Sequence, residues 1–253
     1  AKTFFDGMKA EGQENIINLL RCAWAGSQKY GALVWSGDIK SSFPSMKNQV
    51  AAGLNMGIAG IPWWTTDIGG FFGANINDPE FHELLVRWFE YGCFCPVMRL
   101  HGYRWPLQPQ YGTTGGATCV SGAPNEVWSY TDQVCEILSD YLRLRERMLP
   151  YITELMEEAH EKGTPVMRPL FYDFPEDKES WNVETEYMFG PKVLVKPITD
   201  ADARETDVYL PGGASWTNAW TGETFEGGQK VHVAAPIEQI PLFTRDGYKL
   251  PMK

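Results

Sequence analysis

The sequence has few basic side chains, and this shortage limits what it can bind. Only 22 lysines and arginines stand against 32 aspartates and glutamates in 253 residues, so the formal charge at neutral pH is −10. A surface with this balance has little with which to neutralise a row of phosphates. We therefore expect no nucleic acid partner.

Long hydrophobic runs are missing as well. No apolar stretch approaches the roughly 20 residues that a membrane-spanning helix needs, and the first residues, Ala1 to Phe5, lack the layout of a signal peptide. We expect no membrane-spanning segment. Because the chain opens on Ala1 instead of methionine, we also expect it to be processed or cut from a longer polypeptide.

Cysteines are too few and too scattered for a disulfide framework. The five residues are an odd number in a large chain, and most are expected to be reduced and buried. Cys93 and Cys95 form the one close pair, but zinc sites usually separate their first two thiolates by two to four residues and add a second pair. We therefore expect a structural role for this pair.

Apolar and aromatic residues, in contrast, are plentiful. Hydrophobic residues make up 43% of the chain, which is enough for a real core and excludes a disordered protein. There are ten tryptophans. Indole rings stack well on sugar faces, although most tryptophans in any protein serve core or interface packing.

Two regions with different patterns follow one another. Up to about Gly163, short apolar runs alternate with helical periodicity, which predicts β and α elements in turn. After Pro165 the chain has short strand-like runs separated by glycine and proline, typical of an all-β sandwich. The first region provides about four strand and helix units, half of a closed (β/α)8 barrel.

The elements of the first region can be placed by their boundaries. Pro44 marks the first turn of one helix, and Asp78 and Pro79 cap and open another. Pro150 interrupts a third helical stretch, which Gly163 ends. The predicted strands cover residues 16–23, 31–35, 58–65 and 96–100.

Reactive side chains come at or just after the ends of these four strands. They are Arg21, Asp38, Asp67 and His101. Parallel barrels keep their catalytic groups at the carboxyl ends of their strands, so we expect these four to project toward one mouth. Aromatic residues surround the same positions in the sequence, namely Trp35, Trp63, Trp64 and Phe71.

A mouth with acids, a cation, a histidine and aromatic rings suits an uncharged polyhydroxylated ligand. Glycoside hydrolysis requires two carboxyl groups, and Asp38 and Asp67 are the candidates that the residues offer. Each residue also has a structural reading: a turn or cap for either aspartate, an ordinary ion pair for Arg21 and a hydrogen-bonded core histidine for His101. Their occurrence at four successive strand ends favours the functional reading.

At these residues the chain resembles family 31 of the glycoside hydrolases, the retaining α-glucosidases and α-xylosidases. The resemblance runs through nearly the whole chain and rests on several motifs at matching spacing. These are RCAWAGSQKY at 21–30, WSGD at 35–38, DIGGF at 67–71, MRLHG at 98–102, NEVWSY at 125–130, LRER at 144–147, MRPLF at 167–171, YMFG at 187–190 and PLF at 241–243.

The resemblance implies specific roles for the residues at the mouth. Asp38 would be the general acid/base. Arg21, Trp35, Asp67, Phe71 and His101 would line the subsite of the non-reducing sugar, with Trp64 beside them and with Asp67 and His101 hydrogen-bonding ring hydroxyls. The family's nucleophile is another aspartate on an earlier barrel strand. Asp67 is then not the partner of Asp38 in catalysis, and Asp6, the only aspartate before Arg21, does not resemble that nucleophile in its setting.

The expected architecture is therefore α/β plus all-β. Residues 1–162 would form the C-terminal half of a (β/α)8 barrel, and residues 163–253 the proximal C-terminal β-sandwich. The open strand edges of a half-barrel would be covered by the missing N-terminal half or by an oligomer partner. The substrate would be an oligosaccharide carrying terminal α-linked xylose or glucose, cleaved without metal or cofactor.

Two alternatives stay open at this stage. The chain on its own could be a catalytically silent fragment, acting at most as a carbohydrate-binding or structural module, since no nucleophile is visible in it. It could also be an unrelated α/β enzyme with a coincidental DIGGF motif. Convergence of Arg21, Asp38, Asp67 and His101 on one cleft would exclude the latter.

Overall fold

Parallel strands and helices build the first part of the chain, in a computed structural model that describes residues 1–252. We call this part, α1 to α5 with β1 to β5, the barrel segment. Its helices are α1 (Lys2–Ala10), α2 (Phe43–Ile58), α3 (Pro79–Cys93), α4 (Asp132–Arg147) and α5 (Leu149–Lys162), and its strands are β1 (Asn18–Leu20), β2 (Ala32–Trp35), β3 (Trp64–Thr65), β4 (Ala74–Asn75) and β5 (Arg104–Trp105).

The central sheet is parallel, in the order β1-β2-β3, with Leu20 opposite Val34 and Val34 opposite Trp64. Beyond β3, Ile68 forms one parallel bridge with Leu100. The fourth predicted strand, residues 96–100, is therefore reduced to a single bridge, because a strand needs a partner along its length. Among residues 1–252 the sheet does not close into a barrel, as the partial-barrel prediction requires.

The predicted helix boundaries are confirmed for α2 and α3. Pro44 and Pro79 stand in the first turns, and the side chains of Ser42 and Asp78 accept hydrogen bonds from backbone N–H groups of those turns. These local contacts satisfy donors that a helix start leaves free. Helix α2 packs on β3 and α3 packs on α4, and both helices bury apolar residues in the same core.

The third helical stretch divides where Pro150 predicts. Met148 separates α4 from α5, with Pro150 in the first turn of α5, and Gly163 ends α5 in a left-handed conformation. Helix α1 was not predicted, and it buries none of its residues. None of the helices within residues 1–252 combines the length and the apolar character needed to cross a bilayer.

The remaining elements form the C-terminal sandwich. A six-stranded sheet in the order β11-β10-β13-β8-β7-β6 and a ribbon of β9 with β12 share one core, which includes Leu194, Val208, Trp216 and Phe243. The mixed α/β plus all-β prediction is thereby confirmed. The elements are β6 (Met167–Pro169), α6 (Leu170–Asp173), β7 (Tyr187–Phe189), β8 (Val193–Val195), β9 (Glu205–Leu210), β10 (Ser215–Asn218), β11 (Thr224–Glu226), β12 (Gln229–Ala234) and β13 (Leu242–Arg245).

A buried polar cluster joins the barrel segment to the sandwich. Arg87 of α3 has no exposed surface and donates hydrogen bonds to the carbonyl oxygens of Ala203 and Ala235, at 2.9 and 2.7 Å. Its guanidinium also contacts Glu90 at 3.1 Å. Burial raises the pKa of Glu90 to about 8, although Arg87 opposes this. The cluster therefore fixes the sandwich against α3, although Ala203 and Ala235 lie more than 100 residues after Arg87 in the sequence.

Candidate active site

The carboxyl ends of the parallel strands bring the four predicted polar residues to one edge of the sheet. Arg21 directly follows β1, Asp38 follows β2, Asp67 follows β3, and His101 follows the bridge residue Leu100. Arg21 Nη2 lies 3.8 Å from the Oδ2 atom of Asp38. Since neighbouring parallel strands end at the same edge, this convergence is a direct result of the sheet topology.

Asp38 is presented to solvent by a tight turn. Gly37 has a φ of +73°, a conformation that glycine adopts without strain, and it turns the chain away from β2 immediately before Asp38. The Asp38 side chain is 45% exposed. The Arg21 guanidinium carbon lies 5.8 Å from the centre of the Trp35 ring, so cation, carboxyl group and indole form one accessible group.

Phe71 and His101 form the aromatic side of the same edge. Their ring centres are 5.6 Å apart, with an angle of 32° between the planes. The backbone N–H of Phe71 donates to the carbonyl of Ile39 at 2.7 Å. This bond links the DIGGF segment to Ile39, the residue after Asp38.

Asp67 differs from Asp38 in being enclosed. Its side chain has no exposed surface, and Oδ1 accepts a hydrogen bond from Arg99 Nη2. Burial raises the pKa of the Asp67 carboxyl, while the positive charge of Arg99, and to a smaller extent that of His101, opposes the rise. The carboxylate thus has no exposed surface in this structure, and the expected contact of Asp67 with ring hydroxyls stays a prediction.

Sequence reasoning missed two residues that surround Asp67. Arg99 is its ion-pair partner, and the hydroxyl of Ser36 accepts a hydrogen bond from its backbone N–H at 3.2 Å. A signal for Arg99 was available in the sequence. Side chains of an extended segment alternate between two faces, so Arg99 and His101, two residues apart, share one face. For Ser36 the sequence carries no signal, because the contact spans 31 residues of chain.

Trp64 lies in the core. Its ring is buried, and a Cβ at Gly53 of α2 would lie 2.8 Å from it, so it packs between the sheet and α2. A sugar-side Trp64 stays a prediction, and this burial disfavours it. Alternate residues of a strand point to opposite faces, and in the pair Trp63-Trp64 the second ring faces the helix layer.

The closely spaced cysteines are core residues. Cys93 and Cys95 are fully buried, and burial raises the pKa of each thiol to about 12. Both thiols therefore stay protonated near neutral pH. All five cysteines are free thiols, with Cys22 and Cys119 exposed, so the expectation that most are buried holds only for part of the set.

The edge therefore offers one accessible carboxyl group, a cation beside it, and flat rings. Such a group can donate or accept a proton at a bound ligand, and the rings can cover an apolar sugar face. Neither of the other aspartates considered supplies a second accessible acid next to Asp38. Asp67 is enclosed, and Asp6 lies on α1, where it pairs with Lys2.

Family comparisons agree with this geometry. Residues 1–155 match the model of the glycosyl hydrolases family 31 TIM-barrel domain, and residues 163–250 match that of the glycosyl hydrolase family 31 C-terminal domain. An α-xylosidase of Saccharolobus solfataricus is 37% identical over 99% of this chain, and α-glucosidase 2 of Bacillus thermoamyloliquefaciens is 34% identical over 94%.

A solved relative shows the same fold. The crystal structure of a family 31 α-xylosidase from a soil metagenome, in complex with xylose, superposes with a TM-score of 0.94 at 54% identity over 98% of this chain. The match covers 37% of that protein, as it covers 32% and 28% of the two curated relatives, so the chain spans about a third of their length. Both parts of the chain match, in order, consecutive domains of one enzyme family, and the chain belongs to family 31 of the glycoside hydrolases.

Proposed function

We propose that this chain provides the C-terminal half of the catalytic barrel, with the adjoining sandwich, of a retaining α-glycosidase. The enzyme would release terminal non-reducing α-linked xylose or glucose from oligosaccharides. The observation that carries the proposal is the exposed Asp38 carboxyl group at the end of β2, with Arg21 Nη2 at 3.8 Å and Trp35 beneath that guanidinium. Membership of the family supports it.

Asp38 is the general acid/base in this proposal. As a protonated carboxyl group it donates to the leaving glycosidic oxygen, and as a carboxylate it then removes a proton from the water that attacks the glycosyl-enzyme. Arg21, Trp35, Phe71 and His101 line the subsite of the sugar. The aromatic rings cover its apolar face, and the polar groups exchange hydrogen bonds with its hydroxyls.

The nucleophile comes from outside these residues. Retaining glycosidases need a second carboxylate about 5–5.5 Å from the acid. Asp67 is enclosed and Asp6 lies on α1. We therefore assign the nucleophile to an aspartate on a strand of the N-terminal barrel half, which would also cover the open edge of β1. Residues 1–162 and 163–253 are the proposed divisions of the chain.

A complementation assay tests this division of labour. Hydrolysis of p-nitrophenyl α-xyloside and p-nitrophenyl α-glucoside is measured with the 253-residue chain alone and with the N-terminal half of the barrel added. The chain alone should release no nitrophenol above background, and the mixture should release it. Hydrolysis by the chain alone would refute the external nucleophile.

The second candidate is a catalytically silent module that binds carbohydrate or has a structural role. It is favoured for the isolated chain because neither Asp67 nor Asp6, within residues 1–252, supplies an accessible second acid beside Asp38. It predicts that the mixture of the two halves stays inactive while the chain alone still binds xylose or glucose. Isothermal titration of both sugars into the chain, next to the hydrolysis assay, separates the two candidates.

A further inference from the structure

The Asp67 carboxylate is built into the protein interior. The sheet around it does not close into a barrel within residues 1–252, yet the Asp67 side chain has no exposed surface. Its neighbours Thr66 and Ile68 are buried too. Added protein would cover this site further. Oδ1 accepts from Arg99, and Oδ2 is equally enclosed, without a hydrogen-bond partner among residues 1–252.

Arg99 holds the Asp67 segment by two contacts. Its guanidinium pairs with the Asp67 carboxylate, and its carbonyl oxygen accepts the backbone N–H of Ile68 at 3.4 Å. The Arg99 side chain is 24% exposed. Removing the ion-pair partner of a buried carboxylate strongly destabilises a protein, so the pair fixes where the end of β3 lies relative to the segment carrying His101.

Ser36 connects this pair to the turn that presents Asp38. Its hydroxyl oxygen accepts the backbone N–H of Asp67 at 3.2 Å, and the same hydroxyl donates to the carbonyl of Gly37, also at 3.2 Å. Gly37 is the residue before Asp38. An unbroken series of contacts therefore runs from Arg99 through Asp67 and Ser36 to Gly37.

We propose that Asp67 is a positioning residue for Asp38, acting through Ser36, and that it does not bind the sugar. Arg99 fixes Asp67, the Asp67 N–H orients the Ser36 hydroxyl, and Ser36 holds the Gly37 turn in the geometry that places the Asp38 carboxyl group. This inference rests on the proposed role of Asp38. A displacement of about 1 Å in a reacting group can lower a rate about a hundredfold, so such a support is functionally important.

The test is steady-state kinetics of Ser36→Ala and Asp67→Asn in the full-length glycosidase. Substrates with poor leaving groups are used together with p-nitrophenyl α-xyloside. Both variants should lower kcat on poor leaving groups by about tenfold to a hundredfold, with KM and the inhibition constant of xylose within about twofold of the wild-type values. Because both act on one link, the double variant should lose less than the product of the single losses.

Matched controls separate positioning from a general loss of structure. Asp173→Asn removes the charge of another largely enclosed aspartate, whose side chain is 13% exposed and pairs with Arg168 at 3.1 Å in the sandwich. Ser139→Ala removes a hydroxyl from α4. Both controls should keep wild-type kinetics. If Asp67→Asn does not fold, Ser36→Ala decides, because it removes one hydroxyl and no charge.

The outcomes also separate this inference from the proposed function. A tenfold rise in KM or in the xylose inhibition constant, with kcat kept, would make Asp67 a sugar ligand and overturn the inference. Asp38→Asn could show the leaving-group effect of a lost acid while Ser36→Ala keeps wild-type kinetics. That result would overturn the inference about Asp67 and leave the proposed function standing. If Asp38→Asn shows no leaving-group effect, both the acid/base role of Asp38 and the positioning role of Asp67 are refuted.

Discussion

Gly70 shows how a single residue without a side chain shapes the sheet edge that carries Asp38. Its φ is +75°, and a Cβ at this position would lie 2.6 Å from the Cα of Ser41. Arg104 donates to its carbonyl oxygen at 2.7 Å and to that of Ile68 at 3.1 Å. Position 70 therefore requires glycine for two reasons: its backbone conformation, and the close approach of Ser41, in the loop that carries Asp38.

Replacing Gly70 by alanine should lower the free energy of unfolding by about 2–4 kcal/mol, because the strained φ and the backbone clash add. Urea unfolding of the 253-residue chain measures this loss. Gly116→Ala is the matched control, since its φ is ordinary and a Cβ there meets no atom within 4 Å. An equal effect of both substitutions would contradict the structural reading of Gly70.

Single residues also show where sequence reasoning stops. The positions of Arg21 and Asp38 after their strands were predictable, because a strand end can be recognised from its apolar run. The enclosure of Asp67 was not, since it depends on Arg99 and Ser36, two partners that are 32 and 31 residues away. The orientation of Trp64 depends on Gly53, which only the packing of α2 on the sheet reveals.

At the scale of elements, local signals predicted helices better than strands. Helices α2 and α3 begin where Pro44 and Pro79 indicate, because capping is decided within one turn. The predicted strand at 96–100 became a single bridge, and β4 and β5 were not predicted. Strands depend on partners distant in the sequence, so a short apolar run does not by itself define one.

The contact between α3 and the sandwich should respond to pH through Glu90. Its pKa is raised by burial from an ordinary 4.5 to about 8. The folded state thus binds a proton that the unfolded state releases in this range. The stability contributed by the protonated carboxyl group is complete below about pH 4.5 and is lost as the pH rises toward 8.

Glu90→Gln should remove this dependence, because glutamine keeps a hydrogen-bonding group for Tyr141, which donates to Glu90 Oε1 at 3.1 Å, and does not ionise. Thermal unfolding from pH 5 to 8 should show a shallower fall of Tm in the variant than in the wild-type chain. Glu136→Gln, on the exposed face of α4, is the control and should keep the wild-type slope. Identical slopes in all three proteins would contradict a raised Glu90 pKa.

At the scale of the whole molecule, the open edge of β1 is the main liability. Within the described residues β1 pairs only with β2, and Ile17 and Leu19 are 59% and 45% exposed there. Exposed strand edges with apolar side chains promote association between chains. We therefore expect the isolated chain to self-associate at this edge, which the N-terminal barrel half would cover in the full enzyme.

The double substitution Ile17→Lys and Leu19→Lys should reduce that association, because charges on an edge strand oppose pairing with another edge. Sedimentation velocity at increasing protein concentration should show more monomer than for the wild-type chain. Ile58→Lys, a similarly exposed residue at the end of α2, is the control and should leave the distribution unchanged. A monomeric wild-type chain at all concentrations would refute the role of the edge.

The central claim is that Asp38 is the acid/base of a retaining α-glycosidase, and the leaving-group dependence of Asp38→Asn tests it most directly. In the full-length enzyme, kcat/KM is compared for p-nitrophenyl α-xyloside and for a xylosyl disaccharide, with Asp140→Asn on exposed α4 as the control. The account predicts a loss of about a hundredfold to ten-thousandfold on the disaccharide, far less on the activated substrate, and none in the control. Equal losses on both substrates would contradict it.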